Sequence, residues 1–411
     1  MIKKRSLIAI LMLFSIFAIG CNLLKQNNSN TNLNDNTNNN QAQVKPDPVD
    51  PIKEQIKQMT LAEKIGQMLI AGIDGYNYDG NIKKLVENYK VGGFIVLGRN
   101  VNDTNQLLNL INAIKSGNVN NKIPLFMSLD EEGGRVTRMP KDFKRIPTSQ
   151  AIGRVNNEEF SYKIGSVIAQ EIKAFGFNLD FAPVLDVNSN PKNPVIGDRA
   201  LSSDPNIVEK LGIQTMKGIQ DQEVISAIKH FPGHGDTSVD SHKELPLVNN
   251  DLSRLESLEL IPFSGAIKNN AEMIMIAHIL LPMIDKENPA SMSKTVITDI
   301  LRNNLNFDGV VITDDMTMGA IIKNYEVGEA AVKCVNAGVD IVLVCNGYDN
   351  QVKVIEYIKN AVTSGQITEE RINESVYRIL KLKQKYDLRD EINNDVNVTD
   401  INEKINNVLD N

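Results

Sequence analysis

Short apolar runs alternate with amphipathic stretches between residues 52 and 387 of this 411-residue chain. Eight runs have strand length and nearly continuous hydrophobicity, which is typical of parallel strands buried on both faces. They cover residues 68–73, 93–97, 125–129, 179–185, 224–228, 273–277, 310–313 and 341–344. Helical stretches at 158–175 and 207–220 lie between runs. The alternation predicts an α/β fold, a single (β/α)8 TIM-type barrel, although a doubly wound open sheet also fits it.

Helix boundaries can be placed at both ends of this region. Thr60 and Glu63 form a capping-box pattern, which predicts a helix start at Thr60. The last periodic stretch begins at Thr368 and places Ile372, Val376 and Ile379 on one stripe together with Leu380. The barrel is therefore expected to span residues 52–387, with a polar and weakly patterned C-terminal tail at 388–411.

The first twenty residues have the pattern of an export signal. Three basic residues, 3–5, precede an apolar run, and residues 18–20 (Ala-Ile-Gly) lead into Cys21. This junction resembles the bacterial lipobox, which predicts a signal peptide at 1–20 and lipid attachment at Cys21. A plain transmembrane anchor is the alternative, but the run is shorter than the roughly 20 apolar residues that a span requires. We therefore expect an exported protein, anchored at the periplasmic or extracellular face of a membrane.

Residues 21–51 differ in composition from the rest of the chain. They are rich in asparagine and end in Pro46, Pro48 and Pro51. Such a segment cannot bury enough apolar surface to offset the entropy of ordering it, so a disordered tether is expected.

Composition narrows the possible partners and the redox chemistry. The net charge is −7 and the basic residues are scattered along the chain, which argues against nucleic acid as a partner. After Cys21, Cys334 and Cys345 are the remaining cysteines, and both lie in apolar surroundings. Buried, inert thiols are the favoured interpretation, and a disulfide between them stays open.

All four histidines lie near the predicted ends of strands five and six: His230, His234, His242 and His278. We expect them in loops on the face where barrels of this kind place their active sites. The segment 229–237 (Lys-His-Phe-Pro-Gly-His-Gly-Asp-Thr) is rich in turn-forming residues, which predicts a shaped loop.

Asp240 and His242 follow in the same loop and can form a carboxylate–imidazole pair suited to proton transfer. One alternative is a set of hydrogen bonds that only stabilises the loop. Another is metal binding by these two residues with His234 and Asp236, but their spacing matches no metal motif. No metal site is therefore expected.

Carboxylates or arginines follow three other predicted strands. The strand at 310–313 runs directly into Asp314 and Asp315, whose side chains should point in opposite directions and serve different purposes. An ordinary helix N-cap is the alternative there. Asp130 and Arg138 follow strand three and Arg199 follows strand four, a mixture suited to sugar hydroxyls or, alternatively, to a surface ion-pair patch.

Together these motifs resemble glycoside hydrolase family 3, in particular its bacterial β-N-acetylglucosaminidases, over residues 52–387. The resemblance rests above all on Lys-His-Phe-Pro-Gly-His-Gly at 229–235 followed by Asp-Ser-His at 240–242. It implies Asp314 as the catalytic nucleophile and His242, paired with Asp240, as the general acid/base. The positions that match the family's sugar-binding residues are Asp130, Arg138, Arg199, Lys229 and His230.

The resemblance implies a retaining hydrolysis of terminal β-linked N-acetylglucosamine without a metal or organic cofactor. The expected substrate is an amino-sugar glycoside, a muropeptide from peptidoglycan or a chitooligosaccharide. A phosphorylase of the same family is the alternative enzyme, since it would release the same intermediate with phosphate. A sugar-binding lipoprotein without catalytic activity is the alternative of another class. The sequence does not specify an oligomeric state.

Overall fold

The computed structural model describes residues 50–410. The expected signal peptide, the lipidation site Cys21 and nearly all of the tether therefore lie outside the described residues. The first helix begins at Pro51 with the Asp50 side chain as its N-cap, one residue before the predicted start of the barrel at residue 52. No helix within residues 50–410 is long and apolar enough to cross a membrane.

Eight parallel strands form one sheet in the order β7-β6-β5-β4-β3-β2-β1-β8. The barrel closes where Ile312 of β7 pairs with Ile341, just before β8, and where the Thr313 amide donates to the Ile341 carbonyl at 3.1 Å. The prediction of a single (β/α)8 barrel is thus confirmed, and the open-sheet alternative is wrong. The strands are β1 (Leu69–Gly72), β2 (Gly93–Ile95), β3 (Phe126–Leu129), β4 (Leu179–Asp180), β5 (Ile225–Phe231), β6 (Met273–Ile276), β7 (Val310–Thr313) and β8 (Val342–Val344).

Helices surround these strands, and the described region holds fourteen α-helices. The helix starts predicted at Thr60 and Thr368 are confirmed, since each threonine caps a helix through its side chain. The helices are α1 (Pro51–Gln58), α2 (Leu61–Gln67), α3 (Gly80–Glu87), α4 (Thr104–Gly117), α5 (Ser149–Val155), α6 (Glu158–Phe175), α7 (Pro205–Gln220), α8 (Leu252–Ser257), α9 (Leu260–Lys268), α10 (Gly319–Ile322), α11 (Val327–Ala337), α12 (Tyr348–Thr363), α13 (Glu369–Lys385) and α14 (Val398–Leu409). The described region also contains three short 3-10 turns and one π-helical segment. The 3-10 turns are Gly98–Asn100, Gly197–Arg199 and Ala290–Met292, and the π-helical segment is Thr295–Asn304.

Lys383 of α13 ties together the amino-terminal ends of three strands. Its ammonium group donates to the Gln67 side chain at 2.9 Å, the Gly92 carbonyl at 2.8 Å and the Pro124 carbonyl at 2.7 Å. Each acceptor lies just before one of β1, β2 and β3. Burial lowers the pKa of Lys383 to about 7, because water no longer solvates its charge. One buried lysine thus links three strands at the end of the barrel opposite the histidines.

The structure differs from the sequence analysis at the C-terminal tail. Residues 388–411 were expected to be a polar tail, but Val398–Leu409 forms helix α14. Ile401 and Ile405, one turn apart, are both buried, and α14 packs against α6. The apolar stripe is narrow, so the overall polarity of the segment concealed it.

The carboxyl ends of two strands also differ from the prediction by three residues or more. β4 ends at Asp180 rather than at residue 185, and β5 continues to Phe231 rather than ending at residue 228. Lys229 and His230 therefore lie inside a strand, which corrects the expectation that His230 is in a loop. Cys334 and Cys345 are buried, and both are free thiols in the structure.

Candidate active site

A cavity of about 460 Å³ opens at the carboxyl ends of the barrel strands. Seven of the eight site residues predicted from the sequence line it: Asp130, Arg138, Arg199, Lys229, His230, His242 and Asp314. The eighth, Asp240, forms a hydrogen bond with the ring of His242. This end of a barrel is where loops and strand ends supply catalytic groups, so the cavity is the candidate active site.

Five charged side chains form a continuous network across one wall of the cavity. Lys229 donates to Asp130 and to Glu132, each at 2.7 Å. Arg199 forms a two-pronged pair with Glu132, with both N–O distances at 2.7 Å. Arg138 contacts the other oxygen of Asp130 at 3.2 Å. We call Arg138, Asp130, Lys229, Glu132 and Arg199 the charge network.

The charge network keeps its members ionised although it is buried. Burial alone would raise the pKa of Glu132, but Arg199 and Lys229 outweigh it and hold this pKa well below its usual range. Burial likewise acts against the charge of Lys229, but Asp130 and Glu132 raise its pKa overall. Nε of Arg138 is buried and has no hydrogen-bond partner among the described residues. The wall therefore presents fixed charges and polar groups to the cavity.

Asp314 and Asp315 have different surroundings, as their alternation on the strand predicts. The Asp314 carboxylate faces the cavity and accepts a hydrogen bond from the Asp315 amide at 2.8 Å. Burial acts to raise the pKa of Asp314, but the nearby His230 and His278 lower it, and His242 adds to this effect. Asp314 is therefore an ionised carboxylate at neutral pH.

The Asp315 side chain holds the loops after β7 and β8 together. Its oxygens accept from the Thr317 hydroxyl at 2.7 Å and from the Cys345 amide at 2.9 Å. Asn346 also donates to it at 3.2 Å. These contacts occupy the carboxylate, so Asp315 stabilises the loops at the rim of the cavity.

Two of the histidines are fixed in orientation by buried partners. Nδ1 of His230 contacts the Asp186 carboxylate at 2.6 Å, and its Nε2 lies 3.5 Å from Arg199. His278 has Nε2 at 3.2 Å from the Asp315 carbonyl, which can only accept, so Nε2 carries the proton. Nδ1 of His278 then accepts from the Ser291 hydroxyl at 2.7 Å. His230 reaches the cavity, whereas His278 supports its wall.

Asp240 and His242 form the expected carboxylate–imidazole pair. Nδ1 of His242 and the Asp240 carboxylate are 3.0 Å apart, and the same oxygen accepts from the His242 amide at 2.9 Å. Since a carboxylate only accepts, Nδ1 carries a proton and Nε2 is available to exchange one. The imidazole is 65% exposed. We call Asp240 and His242 the dyad.

The four residues of the metal-binding alternative do not form a common site in this loop. Both ring nitrogens of His234 contact hydroxyl groups, those of Ser241 at 3.0 Å and Thr237 at 2.9 Å. Asp236 accepts from the Asn250 side chain. Within residues 50–410 the structure contains no group of three or more acidic, histidine or cysteine side chains placed to hold a metal ion.

Two residues of the site were not singled out from the sequence. Glu132 was one of several acidic residues after β3, and only its bonds to Lys229 and Arg199 distinguish it from Glu131. Asp186 is fully buried and holds His230 together with the His234 amide, which lies 2.6 Å from its carboxylate. Its position directly after the predicted strand at 179–185 was the available signal.

Comparison with known proteins defines the class. The sequence profile of the glycosyl hydrolase family 3 N terminal domain matches residues 60–382. Beta-hexosaminidase A of Pseudoalteromonas piscicida is 36% identical over 328 residues, which cover 74% of this chain and 55% of that protein. The beta-hexosaminidase of Tolumonas auensis is 34% identical over 301 residues, covering 72% and 88% of the two chains.

A solved structure agrees with these relatives. The family 3 β-N-acetylglucosaminidase of Paenibacillus sp. str. FPU-7 superimposes with a TM-score of 0.81 at 39% identity. The match covers 85% of this chain and 68% of the other. The present chain is thus a barrel with its polar cavity at the carboxyl ends of the strands, of the kind found in glycoside hydrolases. It belongs to glycoside hydrolase family 3, which confirms the resemblance drawn from its motifs.

Proposed function

We propose that this protein is a retaining exo-β-N-acetylglucosaminidase that removes terminal β-linked N-acetylglucosamine, with Asp314 as nucleophile and the dyad as general acid/base. The observation that carries this proposal is an ionised, cavity-facing Asp314 in the same cavity as the charge network and His242. The names of the relatives in this family support an amino sugar as the substrate.

Asp314 is suited to nucleophilic attack because its position is fixed and its lone pairs are available. It follows β7 directly, and its amide donates to the Ile276 carbonyl at 3.0 Å, which fixes the backbone. In the first step its carboxylate would bond to the anomeric carbon while the bond to the leaving oxygen breaks. The lowered pKa keeps it deprotonated for this purpose.

His242 is suited to move the proton in both steps. In the first step Nε2 of the imidazolium would protonate the leaving oxygen. In the second step the neutral imidazole would take a proton from the attacking water, which releases the sugar from Asp314. Asp240 keeps Nδ1 protonated throughout and so leaves Nε2 as the exchanging nitrogen.

The charge network and His230 would bind the hydroxyl groups of the sugar in the cavity. Carboxylates of Asp130 and Glu132 accept from hydroxyl groups, and Arg138, Arg199 and Lys229 donate to them. We further propose that the natural substrates are peptidoglycan fragments. An exported protein attached to a membrane through lipid at Cys21 would meet such fragments at the cell envelope.

Turnover of a chromogenic β-N-acetylglucosaminide by the purified protein tests the proposal. We expect release of N-acetylglucosamine with retained configuration, at the same rate with and without phosphate. Formation of N-acetylglucosamine 1-phosphate in phosphate buffer would instead make the protein a phosphorylase. Tight binding of the sugar without turnover would make it a binding protein and refute the enzymatic proposal.

A further inference from the structure

The loop that carries the dyad contacts the segment that follows the candidate nucleophile. We define the dyad loop as residues 232–250, between β5 and α8. The amide of Gly319 donates to the His242 carbonyl at 3.1 Å, and the amide of Ala320 donates to the Ser241 carbonyl at 3.0 Å. Gly319 and Ala320 begin α10, only a few residues after Asp314. Two backbone hydrogen bonds thus connect the loop that contains His242 to the segment that follows Asp314.

Gly319 makes this close contact possible because it has no side chain. A Cβ atom at this position would lie 2.5 Å from the His242 carbonyl oxygen and 2.7 Å from the Lys243 carbonyl oxygen. It would also lie 2.9 Å from the Lys243 carbonyl carbon. All three are backbone atoms, so no side-chain rotation can relieve the overlap, and the dyad loop would have to move.

The backbone of Gly319 itself would accept an alanine. Its φ lies outside the left-handed region that favours glycine. As the first residue of α10, it has a backbone conformation that alanine also adopts. The clash with the dyad loop is therefore the main consequence of adding a methyl group.

Contacts within the dyad loop also hold Ser241 against His234, near the start of the loop. The Ser241 hydroxyl lies 3.0 Å from Nε2 of His234, and the Thr237 hydroxyl lies 2.9 Å from Nδ1 of the same ring. The His234 ring is buried, and burial lowers its pKa to about 4, so it stays neutral at physiological pH. The residue before His242 is thus held from both sides, by His234 and by Ala320.

We propose that Gly319 is a positioning residue, whose missing side chain lets the dyad loop dock against α10 and thereby sets the place of His242 relative to Asp314. The inference rests on the proposed function, because it assumes that His242 exchanges the proton. The imidazole is mostly exposed, and Asp240 is the one hydrogen-bond partner of its ring among the described residues. Its position relative to Asp314 therefore depends on how the loop backbone is docked.

The substitution Gly319→Ala tests this inference through the dependence of rate on the leaving group. A displaced acid protonates the leaving oxygen poorly, and an error of about 1 Å in placement can cost about 100-fold in rate. We expect kcat/KM to fall by about 10- to 100-fold for a disaccharide, whose leaving group needs protonation. For a nitrophenyl glycoside, whose leaving group does not, we expect a fall of less than about threefold.

The matched control is Gly80→Ala. Gly80 is also the first residue of a helix, α3, and its φ also lies outside the left-handed region, but a Cβ there would meet nothing within 4 Å. We expect unchanged kinetics on both substrates. Ser241→Ala removes only the hydroxyl contact to His234 and should cause a smaller loss with the same leaving-group dependence.

The outcomes separate this inference from the proposed function. His242→Ala is measured in parallel, and an equal loss on both substrates in that variant would remove His242 as the acid/base. If His242→Ala shows the leaving-group dependence but neither Gly319→Ala nor Ser241→Ala does, the docking inference alone is wrong. Should Gly319→Ala fail to fold, Ser241→Ala decides between these results. An increase by azide in the kcat of Gly319→Ala on the nitrophenyl glycoside would support displacement of His242, because azide attacks the glycosyl intermediate without a base.

Discussion

Replacing Glu132 with glutamine should show how much the charge network contributes to both stability and substrate binding. The substitution would keep the shape of the side chain but remove the negative charge that Arg199 and Lys229 share at 2.7 Å. The Glu132 side chain is only 2% exposed, so water cannot replace the lost partner. Breaking a buried ion pair by removing one partner typically costs about 3–5 kcal/mol.

The expected loss corresponds to a lower melting temperature and to weaker catalysis. At about 2 °C per kcal/mol for a domain of this size, Glu132→Gln should lower Tm by roughly 6–10 °C. Arg199 and Lys229 would also lose their fixed orientation, so kcat/KM on the aryl glycoside should fall by about 100-fold. Both effects can be measured by thermal unfolding and steady-state kinetics on one preparation.

Glu131→Gln is the matched control, because the adjacent residue is similarly buried but forms no ion pair within residues 50–410. Burial raises the pKa of Glu131 to about 7, and its oxygen accepts from the Thr137 hydroxyl at 2.8 Å and the Arg138 amide at 2.7 Å. A glutamine oxygen can accept both bonds, so we expect a Tm change of less than about 2 °C. Equal effects of the two substitutions would refute the reasoning, since burial rather than charge pairing would then decide the cost.

Three further predictions address other parts of the molecule. Asp314→Asn should lower kcat by several orders of magnitude without unfolding the barrel. A mechanism-based fluorosugar should attach to Asp314 of the wild type, as detected by mass spectrometry, and a label on Asp315 would refute the assignment. Cys21→Ser should block lipid attachment and shift the protein to soluble fractions, and palmitate labelling of the variant would contradict the lipobox interpretation. Lys383 binds its proton more weakly when folded (pKa about 7 rather than 10.5), so its burial penalty is complete below pH 7 and is released as the pH rises. Urea titrations at pH 7 and pH 9 give the free energy of unfolding of the wild type and of Lys383→Met. The wild-type value minus the variant value should increase by about 2–3 kcal/mol between these two pH values, and a constant difference would show that Lys383 stays charged.

The fold could be predicted from the sequence because each barrel strand is buried on both faces. Strand positions followed from apolar runs, and helix ends followed from local caps such as Thr60 and Thr368. The extension of β5 through Lys229 could not be predicted in this way. A lysine ends an apolar run, and only the distant Asp130 and Glu132 compensate its charge inside the barrel.

The site was predictable in part for a related reason. Residues at strand ends converge in any barrel, so Asp130, Arg199 and Asp314 were expected at one cavity once the strands were placed. Glu132 and Asp186 also follow predicted strands, but their roles depend on contacts across the barrel, to Arg199 and to His230, which the sequence does not show. The contact of Gly319 with the dyad loop is likewise visible only in three dimensions.

The two candidate catalytic groups are held in different ways, and this difference fits their proposed chemistry. Asp314 directly follows a buried strand, with its carboxylate oriented by the Asp315 amide, so a nucleophile there keeps one distance to the anomeric carbon. His242 lies on a loop and, in the proposed mechanism, would act on two different oxygens, first the leaving oxygen and then the attacking water. The backbone of this loop is docked by the hydrogen bonds from Gly319 and Ala320, whereas the His242 imidazole is mostly exposed and carries its exchangeable Nε2 outside the core. A nucleophile fixed by a strand and an acid/base positioned by a docked loop would therefore allow one exposed nitrogen to serve both oxygens in turn.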